Sequence, residues 1–136
     1  MKVSHPEHHE PIEQGHIYVA PPDYHMLIQP NESITLWHGP KESNFRPAIN
    51  PLFRSAADTY KQRVIGILLS GALDDGVAGL WWIKRHGGVA MVQDPNDAQF
   101  PNMPRSALQH VPVDHVLPVS AMPNVLIQMA NGRSEL

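Results

Sequence analysis

The most constraining feature of this sequence is the apolar run VIGILL at residues 64–69 and the polar loop after it. The run has no alternation between apolar and polar residues, which is typical of a strand buried on both faces of a parallel sheet. The loop contains Ser70 and two aspartates, and Val77, Leu80 and Lys84 then recur at helical spacing. The segment therefore predicts a strand, a tight loop and a helix, the repeating unit of an α/β fold.

The two aspartates of the loop, Asp74 and Asp75, are candidate functional residues because ligands of open α/β sheets bind outside the carboxyl ends of the strands. Their carboxylates are therefore expected to lie where a reaction would be carried out. The alternative for Asp75 is a structural cap of the helix that begins near Val77. We interpret Asp74 as a solvated neighbour.

The rest of the chain predicts further alternation of strands and helices. Tyr24–Gln29 and Ser33–His38 read as a hairpin, and Asn50 as the cap of a helix whose first turn contains Pro51. Strands are expected at Val89–Val92 and Val116–Val119, each followed by a helical pattern. This order predicts a mainly parallel, doubly wound sheet with an antiparallel hairpin.

Composition excludes several classes of protein. The chain has 136 residues, no cysteine and a net charge of -3, which excludes disulfides and thiolate sites and gives no indication of nucleic-acid binding. No apolar stretch approaches the roughly 20 residues of a membrane span, so we expect a cytoplasmic protein. No motif predicts a cofactor.

Residues 1–14 are expected to be a flexible lead-in. This segment contains His5, His8 and His9, and we favour a solvated segment over a metal site at these histidines.

Four segments together resemble the chemotaxis protein-glutamate methylesterases of CheB type. They are GHIYVAPPDYHMLI at 15–28, GPKESNFRPAINPLFRSAA at 39–57, VIGILLSGALDDGVAGL at 64–80 and AMVQDPNDAQFPNMPRSAL at 90–108. The resemblance implies a three-layer α/β/α domain that hydrolyses glutamate methyl esters on chemoreceptors and often deamidates glutamines. It also implies a serine nucleophile, a histidine base and an orienting aspartate, which is Asp75 here.

The resemblance further suggests which residues line the site. Ala72 stands at a position whose backbone N–H is able to face the oxyanion that forms when the serine attacks the ester. Leu73 replaces a glycine that many family members have, and it restricts the loop to negative φ. Ser70 is interpreted as structural. The residues that we expect to line the site are Ser70, Gly71, Ala72, His25 and Met103.

The nucleophile and base of the family lie upstream of the segment that resembles residues 15–28, and we find neither here. We therefore expect residues 15–136 to be the carboxyl-terminal part of a methylesterase-like domain whose amino-terminal part is missing, and the isolated chain to be inactive. The alternative is a non-catalytic binding or regulatory module derived from that domain. An uncovered sheet face further predicts self-association or a partner, such as the missing half or a receiver domain. A metal hydrolase ranks last.

Overall fold

The computed structural model describes residues 1–72 and 74–134. The strands are β1 (Lys2–Ser4), β2 (His16–Tyr18), β3 (His25–Ile28), β4 (Ile34–Trp37), β5 (Ile65–Leu68), β6 (Val89–Gln93) and β7 (His115–Leu117). The helices are α1 (Ile49–Tyr60), α2 (Val77–Arg85), α3 (Asn102–His110) and α4 (Met122–Ser134). Across these two ranges, every helix is too short or too polar to cross a membrane.

The largest sheet is parallel and has the order β5-β6-β7, with α2 and α3 between its strands in sequence. Gly66 pairs with Ala90 and Val92 with Val116, so the carboxyl ends of the three strands lie at one edge. A second sheet is the antiparallel pair β3-β4, in which His25 pairs with Trp37. The predicted fold class, a mixed α/β domain with parallel strands and a hairpin, is confirmed.

The core lies between the parallel sheet and helices α1 to α3. Leu68, Ala90 and Val92 pack in one cluster with Leu80 and Ile83 of α2. Gly66 makes this packing close, because a Cβ there would lie 2.6 Å from Ile83 Cδ1. Leu69, just beyond the end of β5, is 45% exposed, although the run 64–69 is apolar throughout. Within β5 itself, Gly66 and Leu68 are buried whereas Ile65 and Ile67 are partly exposed, so one face of the strand is better covered than the other.

The first residues contain a strand that the sequence did not indicate. Lys2–Ser4 forms β1, which pairs in parallel with β2. Further along, the amide of His9 donates to the carbonyl of Ile34 at 2.7 Å, and the amide of Ile34 donates to the carbonyl of Glu10 at 2.9 Å. The sequence did not predict this strand, because a strand pairing with residues 16–18 leaves no local pattern in so short a stretch.

Helices α1 and α2 meet at their amino-terminal ends. Asn50 is not the cap of α1, since Ala48 precedes the first helical residue. Its side-chain Oδ1 instead accepts a hydrogen bond from the backbone N–H of Gly79 at 2.8 Å. A Cβ on Gly79 would lie 2.7 Å from Phe53 Cβ, so glycine permits this approach. The contact brings the start of α1 beside the loop that contains Asp75.

Candidate active site

Asp75 lies in the loop between β5 and α2 and is only 8% exposed. Its carboxylate accepts the backbone N–H of Ile49, at 2.9 Å from Oδ2 and 3.1 Å from Oδ1. Ile49 is the first residue of α1, where helical N–H groups have no partner within the helix. Asp75 thus caps a neighbouring helix rather than the one that follows it. Gly76, with φ of 95°, turns the chain from this aspartate into α2.

The environment of Asp75 disfavours its charge. Burial raises the pKa of Asp75, while hydrogen bonds from the backbone of Ile49 and Asn50 lower it, and the negative charges of Glu42 and Asp74 raise it further. The net pKa lies above the ordinary value of an aspartate. Raised carboxylate pKa values recur at functional sites, where burial is combined with specific hydrogen bonds.

Asp75 lines a pocket of about 180 Å³. One wall comes from the segment before α1, and the other from the loop after β5 and the start of α3. The lining residues are Phe45, Pro47, Ile49, Gly71, Ala72, Asp75 and Met103. Among them only Asp75 carries a charge, so the pocket is an apolar cleft with one acidic group. Three residues expected to line the site therefore do line this pocket, namely Gly71, Ala72 and Met103.

Ser70 supports the loop from outside the pocket. Its Oγ accepts the amide N–H of Phe100 at 2.8 Å, and its own N–H donates to Gln93 Oε1 at 2.7 Å. The hydroxyl therefore holds the segment before α3, in agreement with a structural interpretation. Leu73, which was expected to restrict the loop to negative φ, lies outside the described ranges.

His25 is not among the residues that line this pocket. The ring is wholly buried, and both of its nitrogens are used within the protein. Nδ1 accepts the N–H of Ala48 at 3.2 Å, and Nε2 lies 2.7 Å from the carbonyl oxygen of Pro40. The residue that donates to His25, Ala48, thus directly precedes Ile49, the donor to Asp75.

Gln93 is a supporting residue that the sequence did not indicate. It is buried at the end of β6, where its Oε1 accepts from Ser70 and its Nε2 donates to Asp97 Oδ2 at 3.0 Å. Asp97 Oδ2 also accepts the N–H of Val119 at 3.0 Å. This chain of bonds joins the carboxyl ends of all three parallel strands. Only the position of Gln93 at the end of a predicted strand could have hinted at this role.

A serine and a histidine do share a hydrogen bond elsewhere in the fold. Ser4 Oγ lies 2.8 Å from His16 Nε2, and both side chains are near the surface at β1 and β2. Neither residue lines the pocket that contains Asp75. This pair therefore does not complete a triad with Asp75.

Within the described parts of the chain, no group of three or more His, Asp or Glu residues is arranged to hold a metal ion. The carboxylate of Asp94 accepts the N–H of Asn96 at 2.9 Å, which is ordinary turn geometry.

Comparison with known proteins decides the family. The family model described as CheB methylesterase matches residues 1–126. The chain belongs to the CheB methylesterase family. In agreement with this, a crystal structure of the CheB methylesterase catalytic domain of Thermotoga maritima superposes with a TM-score of 0.87 at 30% identity. That match covers 92% of this chain and 68% of the Thermotoga domain.

Curated relatives agree with this membership of the CheB family. A putative protein-glutamate methylesterase/protein-glutamine glutaminase of Leptospira interrogans is 38% identical over 135 residues, which are 99% of this chain and 70% of the relative. The protein-glutamate methylesterase/protein-glutamine glutaminase of Pyrococcus abyssi is 33% identical over 131 residues, which are 36% of its length. These CheB relatives are therefore longer than the chain described here.

Proposed function

We propose that this chain supplies the aspartate-bearing part of a protein-glutamate methylesterase, which also acts as a glutamine deamidase, on cytoplasmic segments of methylated chemoreceptors. A serine and a histidine from a complementary polypeptide complete the triad. The histidine takes the serine proton as Oγ attacks the ester carbonyl, and methanol leaves with that proton. Water then hydrolyses the acyl-serine to glutamate. With glutamine as substrate, ammonia leaves instead.

The observation that carries this proposal is the buried carboxylate of Asp75, fixed by Ile49 at the carboxyl end of a parallel strand. A carboxylate held there is able to accept the ring N–H of a histidine and stabilise the imidazolium that forms during attack. The walls at Phe45 and Met103 are apolar, and a less polar environment strengthens that interaction. The names of the relatives support the same reaction class.

The test uses a fusion of this chain to the part of the Leptospira relative that it does not match. This fusion is called the completed enzyme. The measurement is methanol release from a receptor peptide that carries a glutamate methyl ester. In Asp75→Asn we expect the rate to fall by about 10³- to 10⁴-fold, since the base loses its orienting charge. Asp74→Asn is the matched control, because Asp74 is an exposed acidic neighbour, and its rate should stay within about twofold. A completed enzyme that released no methanol would contradict the proposal.

We also propose that the isolated chain is inactive and binds its complement through the open side of β5. Within the described residues, β5 pairs only with β6. A groove of about 510 Å³ lies near the start of β5, between β2, the hairpin and α1. Its apolar lining is Ile12, Met26, Ile28, Ile34, Leu52, Ala56 and Val64. A strand edge and an apolar groove of this kind favour the addition of another polypeptide.

The oligomeric state, measured together with methanol release, distinguishes a catalytic role for this chain from a purely binding role. We expect the isolated chain to self-associate in light scattering, and the completed enzyme to be monomeric because the groove is filled. If the completed enzyme is monomeric yet releases no methanol, the chain is a binding module of the CheB fold. If the isolated chain is a stable monomer at high concentration, the docking proposal is wrong.

A further inference from the structure

We propose that His25 is a positioning residue for Asp75, acting through the backbone of Ala48 and Ile49. The inference deepens the proposed function, on which its effect on catalysis rests. It concerns a buried imidazole that makes no contact with the pocket, yet is bonded to the residue next to the donor of Asp75.

The hydrogen bonds of His25 define one tautomer of its ring. The backbone N–H of Ala48 is only able to donate, so Nδ1 of His25 must present a lone pair to it. The ring proton therefore sits on Nε2, which donates to the carbonyl of Pro40 at 2.7 Å. An acceptor and a donor on opposite sides of one rigid ring hold two separate backbone groups.

These two backbone groups are the ends of one segment, residues 40–48. The segment contains Phe45 and Pro47, which line the pocket beside Asp75. A single imidazole thus closes the loop that forms one wall of the site. Arg46 within this segment also holds it, since its Nη1 donates to the carbonyl of Gly39, the residue before the segment, at 2.9 Å.

The conformation of Ala48 carries the effect of His25 to Asp75. Ala48 is extended, with φ of -112° and ψ of 157°, so its own N–H and that of Ile49 point in opposite directions. One N–H binds His25 and the other binds Asp75. Holding the N–H of Ala48 in place therefore also sets the direction of the N–H of Ile49. A shift of this peptide would rotate the donor away from the carboxylate.

The burial of His25 fits this role better than that of a space filler. Burying two polar ring nitrogens has a desolvation cost, which an apolar side chain of similar size would avoid. An apolar side chain would, however, leave the N–H of Ala48 without its acceptor. Polar networks that are fully satisfied specify one arrangement of a core, and here that arrangement includes the donor to Asp75.

Two variants of His25 each retain one of its two hydrogen bonds. In His25→Asn, the amide oxygen lies near the position of Nδ1 and keeps the acceptor for Ala48. In His25→Gln, the amide N–H lies near the position of Nε2 and keeps the donor to Pro40. Ser55→Ala is the structural control, because Ser55 Oγ accepts the N–H of Ile28 at 2.9 Å and so joins the far end of β3 to α1. That bond has no contact with Asp75.

The readout is the pKa of Asp75, measured by NMR titration of its side-chain carboxyl carbon in the 136-residue chain. We expect His25→Gln to raise the pKa of Asp75 by about 0.5 to 1, since the carboxylate loses an ordered donor. We expect His25→Asn and Ser55→Ala to leave it unchanged, although all three variants are less stable. Equal effects of the two His25 variants, or no effect of His25→Gln, would overturn the proposal.

Two further measurements test the role of His25, one on the tautomer of its ring and one on the kinetics of the completed enzyme. Nitrogen-15 NMR of the unmodified chain should show His25 protonated at Nε2 and unprotonated at Nδ1, and the reverse tautomer would overturn the proposal even if the variants fail to fold. In the completed enzyme we expect kcat to fall about tenfold in His25→Gln with KM unchanged. If the unmodified completed enzyme releases no methanol, the proposed function fails, whereas the Asp75 titration still decides the role of His25.

Discussion

The carboxylate of Asp75 caps a helix other than its own, with Oδ2 lying 2.9 Å from the backbone nitrogen of Ile49 at the start of α1. The two residues are 26 positions apart in sequence. Carboxylates are stabilised near helix amino termini by unpaired N–H groups and by the helix dipole. Burial nevertheless outweighs these effects, so the pKa of Asp75 is raised. A buried acid with a raised pKa and fixed orientation is costly for stability, which favours a functional reason for its presence.

Asp75→Asn is expected to stabilise the fold at neutral pH. A group whose folded pKa is raised contributes stability that is complete below its unfolded pKa and is lost as pH rises through the folded pKa. Ionised Asp75 therefore lowers the free energy of unfolding at pH 7. Asparagine keeps an oxygen for Ile49 and has no charge, so we expect a gain of about 1 kcal/mol at pH 7 and almost none at about pH 3. Urea unfolding at both pH values measures this, and equal destabilisation at both would contradict it.

Asp114→Asn is expected to have the opposite effect. Burial raises the pKa of Asp114, but the N–H of Ala90 at 2.8 Å and the ammonium of Lys84 at 2.9 Å outweigh burial, and the net pKa is lowered. A lowered folded pKa contributes stability that is present above the unfolded pKa and lost as pH falls through the folded pKa. We expect Asp114→Asn to lose about 1 kcal/mol at pH 7, discounted for its partial exposure.

Acid unfolding followed by circular dichroism checks the Asp114 prediction. The difference between Asp114→Asn and the unmodified chain should shrink as pH falls below the ordinary range of aspartate titration. Asp74→Asn is the control, since Asp74 is exposed. A difference that persists in acid would assign the loss to packing rather than to charge.

Local sequence signals predicted the framework of this fold well. The apolar run at residues 64–69 and the helical spacing of Val77, Leu80 and Lys84 were sufficient to predict β5 and α2. The hairpin β3-β4 also followed from its alternation and its turn residues. In each case the physical cause lies within a few residues of the element.

The supporting contacts of the site were not predictable in the same way. Asn50 looked like a helix cap because it precedes Pro51, yet the group that binds the first amide of α1 comes from Asp75, and Asn50 binds Gly79 instead. His25 belonged to the predicted hairpin and was expected to line the site, but its hydrogen-bond partners lie 15 and 23 positions away in the sequence. Such bonds depend on how separate elements meet, and a pattern within one element contains no information on that.

Gly76→Ala is expected to be strongly destabilising. Gly76 has φ of 95°, and a Cβ there would lie 2.7 Å from Leu68 Cδ2 and 2.9 Å from Ile49 Cγ2. Backbone strain contributes about 1 kcal/mol and overpacking a further 1 to 3 kcal/mol. Gly15→Ala separates the two effects, because Gly15 has φ of 72° with nothing within 4 Å of an added Cβ. Urea unfolding should give a loss of about 1 kcal/mol for Gly15→Ala and clearly more for Gly76→Ala.

Gln93→Met is expected to loosen the loop that precedes Asp75. Methionine fills a similar volume, but it leaves the N–H of Ser70 without the acceptor that now lies at 2.7 Å and removes the amide that binds Asp97. An unsatisfied buried donor costs about 1 to 3 kcal/mol. We therefore expect a loss of that size in urea unfolding, together with faster hydrogen exchange of the Ser70 amide.

The control for Gln93→Met is Gln128→Met, because Gln128 is exposed on α4 and its replacement should change stability by less than about 0.5 kcal/mol. Since the bonds of Gln93 join the ends of β5, β6 and the segment after β7, its loss should accelerate exchange at Val119 as well as at Ser70. Faster exchange at Ser70 alone would mean that Asp97 holds Val119 without help from Gln93. An unchanged Ser70 amide would refute the role of Gln93 in the loop.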